Sequence, residues 1–291
     1  MGSRKLQLVD TSRPTAASPT RELVAKDSRT LDVLVLYPTT GPSESDTAVA
    51  DAPVAEGRFP VLEFSHGVTA SGPVYAGFLQ PLARAGYVVV APTFPLTSGG
   101  GGWTDLKDYA NQPADVSFVL DEILALDEKA GDPLEDHIAS DAVAVAGHSL
   151  GAITTFGFVN SCCEDPRVKA FVEISGVELP FDEGSFADPP DLPGLLIHGQ
   201  VDETVPYRGS SKAFETLTGP RALLTFPNAG HIEPVYSANY APVTKEAVTA
   251  FLALELRGDD AAWKALPAKT KAGSIQVAGG LEAPGGGSTS R

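Results

Sequence analysis

Three side chains in this sequence have the types and the chain order that nucleophilic catalysis requires, and the first of them is Ser149. It is the centre of Gly147-His148-Ser149-Leu150-Gly151, directly preceded by Ala142-Val143-Ala144-Val145-Ala146. A buried apolar strand that runs into so tight a turn lifts the serine to the start of the helix that follows, here the apolar stretch 153–159. The flanking glycines let strand and helix approach without Cβ clashes. A serine hydroxyl attacks only when a base takes its proton, and the usual base is a histidine oriented by a carboxylate. In this strand–turn–helix setting the acid and then the histidine follow the serine along the chain. Of the five histidines, His66 and His137 precede Ser149. His148 lies inside the pentapeptide, with its ring expected to face away from the serine. His198 ends a strand, where a packed or hydrogen-bonded role is expected. His231 remains, in Asn228-Ala229-Gly230-His231 after an apolar strand. For the acid, the strand 195–198 runs into Gly199-Gln200-Val201-Asp202-Glu203-Thr204-Val205-Pro206. Asp202 falls in the strand-end loop, where the catalytic groups of open sheets collect. Glu203, which begins the turn towards the next helix, is its competitor.

The negative charge that develops on an attacked carbonyl needs two backbone N–H donors. Leu150, the residue after the nucleophile, supplies one. In Phe64-Ser65-His66-Gly67-Val68-Thr69-Ala70 a strand ends in a turn that Gly67 allows to fold inward. The second donor is assigned to Val68, with the N–H of Thr69 as the alternative. Around the substrate we place Thr69, Phe94, Leu96, Trp103, His148, Val177 and Ile232. Trp103 follows the run Gly99-Gly100-Gly101-Gly102 and reads as the tip of a flap. That glycine run matches neither G-x-x-x-x-G-K-[ST] nor a G-x-G-x-x-G opening a helix, so it does not predict a phosphate site. No H-E-x-x-H or C-x-x-C occurs, and Asp121-Glu122 and Asp127-Glu128 read as a solvated helix face, so no metal is expected. The chemistry calls for no cofactor. Cys162 and Cys163 are adjacent and read as free thiols rather than a loop-closing bridge.

These groups need a scaffold, and the chain alternates strand and helix patterns. Apolar, β-branched runs at 31–37, 59–64, 87–91, 142–146, 170–174, 194–198 and 221–226 predict strands. Helical periods cover 74–85, 114–129, 149–159, 208–217 and 243–256. The order predicts an α/β fold with a mostly parallel, eight-stranded sheet and helices on both faces. The first two strands, joined by the polar segment 38–58, read as a hairpin. We expect a single domain over 20–266, an N-terminal extension over 1–19 and a flexible tail over 267–291. Between Gly176 and Pro193 the short, Pro- and Asp-rich segment leaves no room for a helical cap, so the cleft is expected to be open. The chain has 291 residues, 43% of them hydrophobic, and a net charge of −16 from 21 basic and 37 acidic side chains. Such a surface repels nucleic acid and anionic membranes. No apolar run approaches the ~20 residues of a membrane span. Met1-Gly2-Ser3-Arg4-Lys5 carries no apolar signal segment, so a soluble protein is expected, cytoplasmic or secreted, of open oligomeric state.

With these residues in place, the chain resembles the α/β-hydrolase superfamily over residues 20–256. The matching pieces are Val35-Leu36-Tyr37-Pro38, Gly67-Val68-Thr69-Ala70, residues 82–91, 147–151 and 202–206, and Gly230-His231. Within the superfamily it is similar to the lidless dienelactone-hydrolase-like esterases, a group that includes platelet-activating-factor acetylhydrolase-like proteins and cutinase or polyester hydrolases. The resemblance implies serine carboxylic-ester hydrolysis through an acyl-enzyme, on a small-molecule or polymeric ester. Ser149, His231 and Asp202 would then be the triad, and Leu150 and Val68 the oxyanion hole. The departures narrow this. Polyester hydrolases carry an aromatic residue at the place of Val68 and a tryptophan in the loop that here reads Ser175-Gly176-Val177-Glu178. Their C-terminal disulfide has no counterpart, and Ser149 stands where dienelactone hydrolases have cysteine. Polyester hydrolysis, amide or lactone hydrolysis in the same site, and a non-catalytic binding protein of this fold are the alternatives.

Overall fold

Alternating Lys5, Leu6, Gln7, Leu8 and Val9 give the first strand its two faces: Leu6 and Leu8 are half-buried while Lys5, Gln7 and Val9 are exposed. This strand, β1 (Gly2–Asp10), runs antiparallel to β2 (Arg29–Tyr37) along its whole length, with Gly2 opposite Tyr37 and Asp10 opposite Arg29. The expectation of an extension over 1–19 is therefore corrected. The computed structural model describes residues 1–18, 23–40, 47–99, 104–160, 165–179 and 191–285. By its internal packing the chain divides into two compact units, Met1–Val143 and Ala144–Arg291.

In the first unit, β3 (Val49–Ala50) lies parallel to β1. Strand β4 (Phe59–Ser65), helix α1 (Ala76–Arg84) and β5 (Val88–Thr93) form a parallel βαβ unit. Strand β5 pairs on its other side with β2, antiparallel, so the order is β4-β5-β2-β1-β3. The expected hairpin of 31–37 with 59–64 is thereby corrected, because β5 lies between them. The reason is in the composition of β5. Val88, Val89, Val90 and Ala91 are all buried, and a strand apolar on both faces belongs inside a sheet. Helix α2 (Gln112–Leu124) follows. The buried Arg29 guanidinium holds Asp115 at 2.6 Å and Asp108 at 2.7 Å, tying β2 to this helical region.

One residue of β4 departs from the apolar pattern. Glu63 is fully buried; its Oε1 accepts a 2.9 Å hydrogen bond from the Ser65 hydroxyl, and its Oε2 has no partner among the described residues. Burial pushes its carboxyl from the ordinary 4.5 up to about 8, against the opposing pull of Ser65. Between those two values the folded chain keeps the proton and the unfolded chain releases it, so stability falls as pH rises. Glu63→Gln, which cannot ionise, is expected to match the wild type near pH 5. Near pH 8 it should exceed the wild type by about 4 kcal/mol. Denaturant midpoints at the two pH values check this, and an equal difference at both would contradict it.

Strand β6 (Ile138–His148) carries the chain into the second unit. There follow α3 (Leu150–Asn160), β7 (Val168–Ile174), β8 (Gly194–Gly199), α4 (Arg208–Thr216) and β9 (Arg221–Phe226). Strands β7, β8 and β9 are parallel neighbours. Helices α5 (Glu233–Tyr236), α6 (Ala241–Arg257) and α7 (Ala261–Ala265) complete the helical layer. The flexible tail expected over 267–291 is corrected for its described part. Strand β10 (Ser274–Ala278) pairs antiparallel with β9, and Trp263 is buried on Phe251 with its indole N–H on the Glu282 carbonyl at 2.8 Å. With β1, β3 and β10 the described residues hold ten strands rather than eight, in an α/β arrangement that is largely parallel with antiparallel margins. No described helix is long and apolar enough to cross a membrane.

Candidate active site

The turn after β6 is sterically forced. A Cβ on Gly147 would lie 2.1 Å from the Gly151 carbonyl oxygen, so only glycine lets the strand and α3 come this close. Ser149 itself sits in the left-handed region at φ 58°, and its N–H donates to the Ile174 carbonyl at the end of β7 at 2.9 Å. Every residue of α3 is buried, so the support beneath the serine is rigid. The N–H of Leu150 belongs to the first turn of α3, whose amides have no intrahelical partner.

A second close approach positions the other two groups. A Cβ on Gly199, the last residue of β8, would lie 2.1 Å from the Ala229 carbonyl oxygen. The loops after β8 and β9 therefore meet, and the Val201 N–H donates to Ala229 O at 3.2 Å. This brings Asp202 to His231: the Nδ1–H of His231 donates to Asp202 Oδ2 at 2.7 Å, and its Nε2 stands 2.8 Å from Ser149 Oγ. Asp202 Oδ1 accepts the N–H groups of Thr204 and Val205, each at 2.8 Å. Burial alone would raise the Asp202 carboxyl, but hydrogen bonds from His198, His231 and Val205 outweigh it and hold the group far below the usual carboxylate range. An ionised Asp202 accepts only, so Nδ1 of His231 carries the proton and Nε2 is left as the acceptor for the Ser149 hydroxyl. Glu203, the competitor, is exposed, with no hydrogen bond to His231.

His148 is corrected from substrate contact to a brace. It is 3% exposed, its Nε2–H donates to the His231 carbonyl at 3.1 Å, and burial lowers its pKa to about 4, so it is neutral. Phe94 and Leu96 are likewise corrected: at 0% and 1% exposure they present no surface to a ligand. Phe94 packs its ring on His66, and its N–H donates to His66 Nε2 at 3.0 Å. The other nitrogen of His66 therefore donates to the Gly67 carbonyl at 2.8 Å and fixes the turn at 67–69. In that turn the Thr69 N–H is already bonded to the Thr97 carbonyl at 2.8 Å, whereas the Val68 N–H has no acceptor among the described residues. Val68, Thr69 and Ile232 are exposed, and Val177 is half-buried. Trp103, Cys162, Cys163 and most of the segment after Gly176 lie outside the described residues.

Three further groups stand behind Asp202, two of them outside the sequence expectations and His198 within them only as a packed or hydrogen-bonded residue: Glu173, Ser210 and His198. All are fully buried and joined to one another, and His198 reaches Asp202 Oδ2 at 3.1 Å. The signal for Glu173 was available, since a glutamate interrupts the apolar run Ala170-Phe171-Val172-Glu173-Ile174.

A family model described as Chlorophyllase matches residues 27–178. Among solved structures, a ferulic acid esterase from Streptomyces cinnamoneus has 23% sequence identity and a TM-score of 0.67, with 95% of each chain covered. The search of curated proteins returns no match.

Proposed function

The chain belongs to the chlorophyllase family and is an esterase-type α/β-hydrolase, and from that premise we propose that it is a serine carboxylic-ester hydrolase working through an acyl-enzyme. The observation that carries the reading is the line Ser149 Oγ, His231, Asp202, joined at 2.8 Å and 2.7 Å. Ser149 Oγ attacks the ester carbonyl as its proton passes to His231 Nε2, and the ionised Asp202 stabilises the imidazolium that forms. The N–H of Leu150 is one donor to the oxyanion. Val68 is the second rather than Thr69, whose N–H is already bonded. Collapse breaks the bond to the alcohol, which leaves with the proton from His231. Water then gives a proton to His231 and attacks the acyl carbonyl, the acid departs, and Ser149 regains its proton.

Ile232, exposed beside His231, offers the ester an apolar contact at the base. A fluorophosphonate probe followed by peptide mapping tests the reading: the adduct is expected on Ser149, and an unlabelled protein would refute it. A panel of p-nitrophenyl esters of rising acyl length, a feruloyl ester, chlorophyll and an aromatic polyester film then assigns the ester.

A further inference from the structure

We infer that Asp202 serves two imidazoles, and that His198 is a positioning residue whose positive charge, secured by Glu173 through Ser210, sets the basicity of His231. The inference rests on the triad reading above and deepens it. His198, on β8, is wholly buried. Its Nε2 faces two acceptors, Asp202 Oδ2 at 3.1 Å and the Val205 carbonyl at 2.9 Å, so that nitrogen must carry a proton. Its Nδ1 lies 2.5 Å from Ser210 Oγ, and Ser210 Oγ lies 2.8 Å from Glu173 Oε2. The other Glu173 oxygen accepts the Gly176 N–H.

Only two proton arrangements satisfy this chain. In one, Glu173 is protonated and donates to Ser210, whose hydroxyl donates to a neutral His198. In the other, Ser210 donates to an ionised Glu173, and the Nδ1–H of an imidazolium donates to Ser210. The total charge is the same, but the second puts a positive charge against Asp202. The hydrogen bonds and charges around His198 select it, against the burial of Glu173, which pushes that carboxyl up and favours the first. The Glu173 carboxylate takes two donors, and His198 stands between two acids, Asp202 and Glu173. Burial alone would depress the His198 imidazolium, yet the Asp202 hydrogen bond and the Glu173 charge raise its pKa. The remaining neighbours do not supply a competing charge at His198. His148, beyond Asp202, is held neutral by burial. The Tyr207 ring stands nearly perpendicular to His198, with centroids 5.8 Å apart. Glu178 pushes the Glu173 carboxyl up, while Lys212 of α4 pulls down the Glu178 carboxyl itself.

The consequence falls on His231. Asp202 must orient this base without keeping it protonated in the resting enzyme. A cation on the same carboxylate oxygen offsets the pull of Asp202 on a proton at His231. The base works only unprotonated, so kcat/KM rises with pH along an acidic limb. Removing the His198 charge favours protonated His231 and moves that acidic limb to higher pH.

The experiment is the pH profile of kcat/KM on a short p-nitrophenyl ester for the wild type, His198→Gln, Glu173→Gln and the double variant. His198→Gln keeps an N–H for Asp202 without the charge; Glu173→Gln removes the counter-ion. Each is expected to raise the midpoint of the acidic limb by about one unit, with no further shift in the double variant. An unmoved midpoint, or shifts that add, overturns the inference. Should a variant not fold, ¹⁵N-histidine NMR of the wild-type protein decides: both ring nitrogens of His198 are expected to be protonated at pH 7, and a neutral ring overturns the proposal. Neither result bears on the triad reading, which the phosphonate adduct on Ser149 tests separately.

Discussion

Ser149→Ala is expected to lower kcat on a p-nitrophenyl ester by about 10⁶. Among the described residues the site offers no second nucleophile in its place: His148 is neutral with its Nε2–H bonded to the His231 carbonyl, and Glu203 is exposed with no link to His231. The variant keeps its fold, because alanine at φ 58° meets the same strain as serine and the Ser149 N–H bond to Ile174 is untouched. His231 stays on Asp202, so some water-mediated turnover remains, aided by the oxyanion donors, at ~10³ above the uncatalysed rate. His231→Ala is expected to lose a similar factor, and the pair together no more than either alone, because the two act as one unit. Steady-state kinetics with circular dichroism and adduct mass spectrometry check this. A loss below tenfold in Ser149→Ala, with the fold intact, would refute the assignment.

The elbow was legible because its constraint is local: two glycines around a serine, after an apolar strand, say where the backbones touch. His231 and Asp202 followed from chain order, since strands that end at one sheet edge place their loops together. What did not follow depends on partners distant in sequence. Strand β1 looks like a tail until β2 supplies its ladder, and β10 until β9 does. The antiparallel neighbour of β2 is β5 rather than β4, a choice made by burial on both faces and not by proximity along the chain. Phe94 and Leu96 are aromatic and aliphatic residues in a strand-end loop, a pattern shared by pocket walls and core; only their enclosure decides between the two. The line behind Asp202 draws Glu173 from β7, His198 from β8 and Ser210 from α4, and no sequence spacing announces such a meeting. The glutamates that interrupt β4 and β7 were the visible trace, because an acid in an apolar strand must find a donor or keep its proton.

Asp202→Asn is expected to lower kcat by about 10⁴, and the hydrogen bonds around this carboxylate explain why the amide cannot substitute. Both oxygens of Asp202 face donors only: His231 and His198 on Oδ2, Thr204 and Val205 on Oδ1. An asparagine has one accepting atom. With its oxygen towards the loop amides, its NH₂ confronts the two imidazoles, and His231 must present an unprotonated Nδ1. The tautomer then reverses, Nε2 carries the proton, and the Ser149 hydroxyl loses its acceptor. With its oxygen towards the imidazoles, the NH₂ faces the Thr204 and Val205 N–H groups and the loop that carries residue 202 is pushed apart. Either orientation leaves two buried donors opposed, at about 1–3 kcal/mol for each unsatisfied group, so activity and stability fall together. The stability loss depends on pH in a defined sense. The Asp202 carboxyl is held low in the folded chain, so its stabilisation is present above the unfolded pKa and disappears as pH falls through the folded one. Thermal melts of wild type and Asp202→Asn should therefore differ most near neutral pH and converge in acid, while kcat stays depressed wherever both proteins remain folded. A variant with wild-type kcat would remove Asp202 from the triad. A melting difference that stays constant into acid would mean that the carboxylate's charge does not hold the loop.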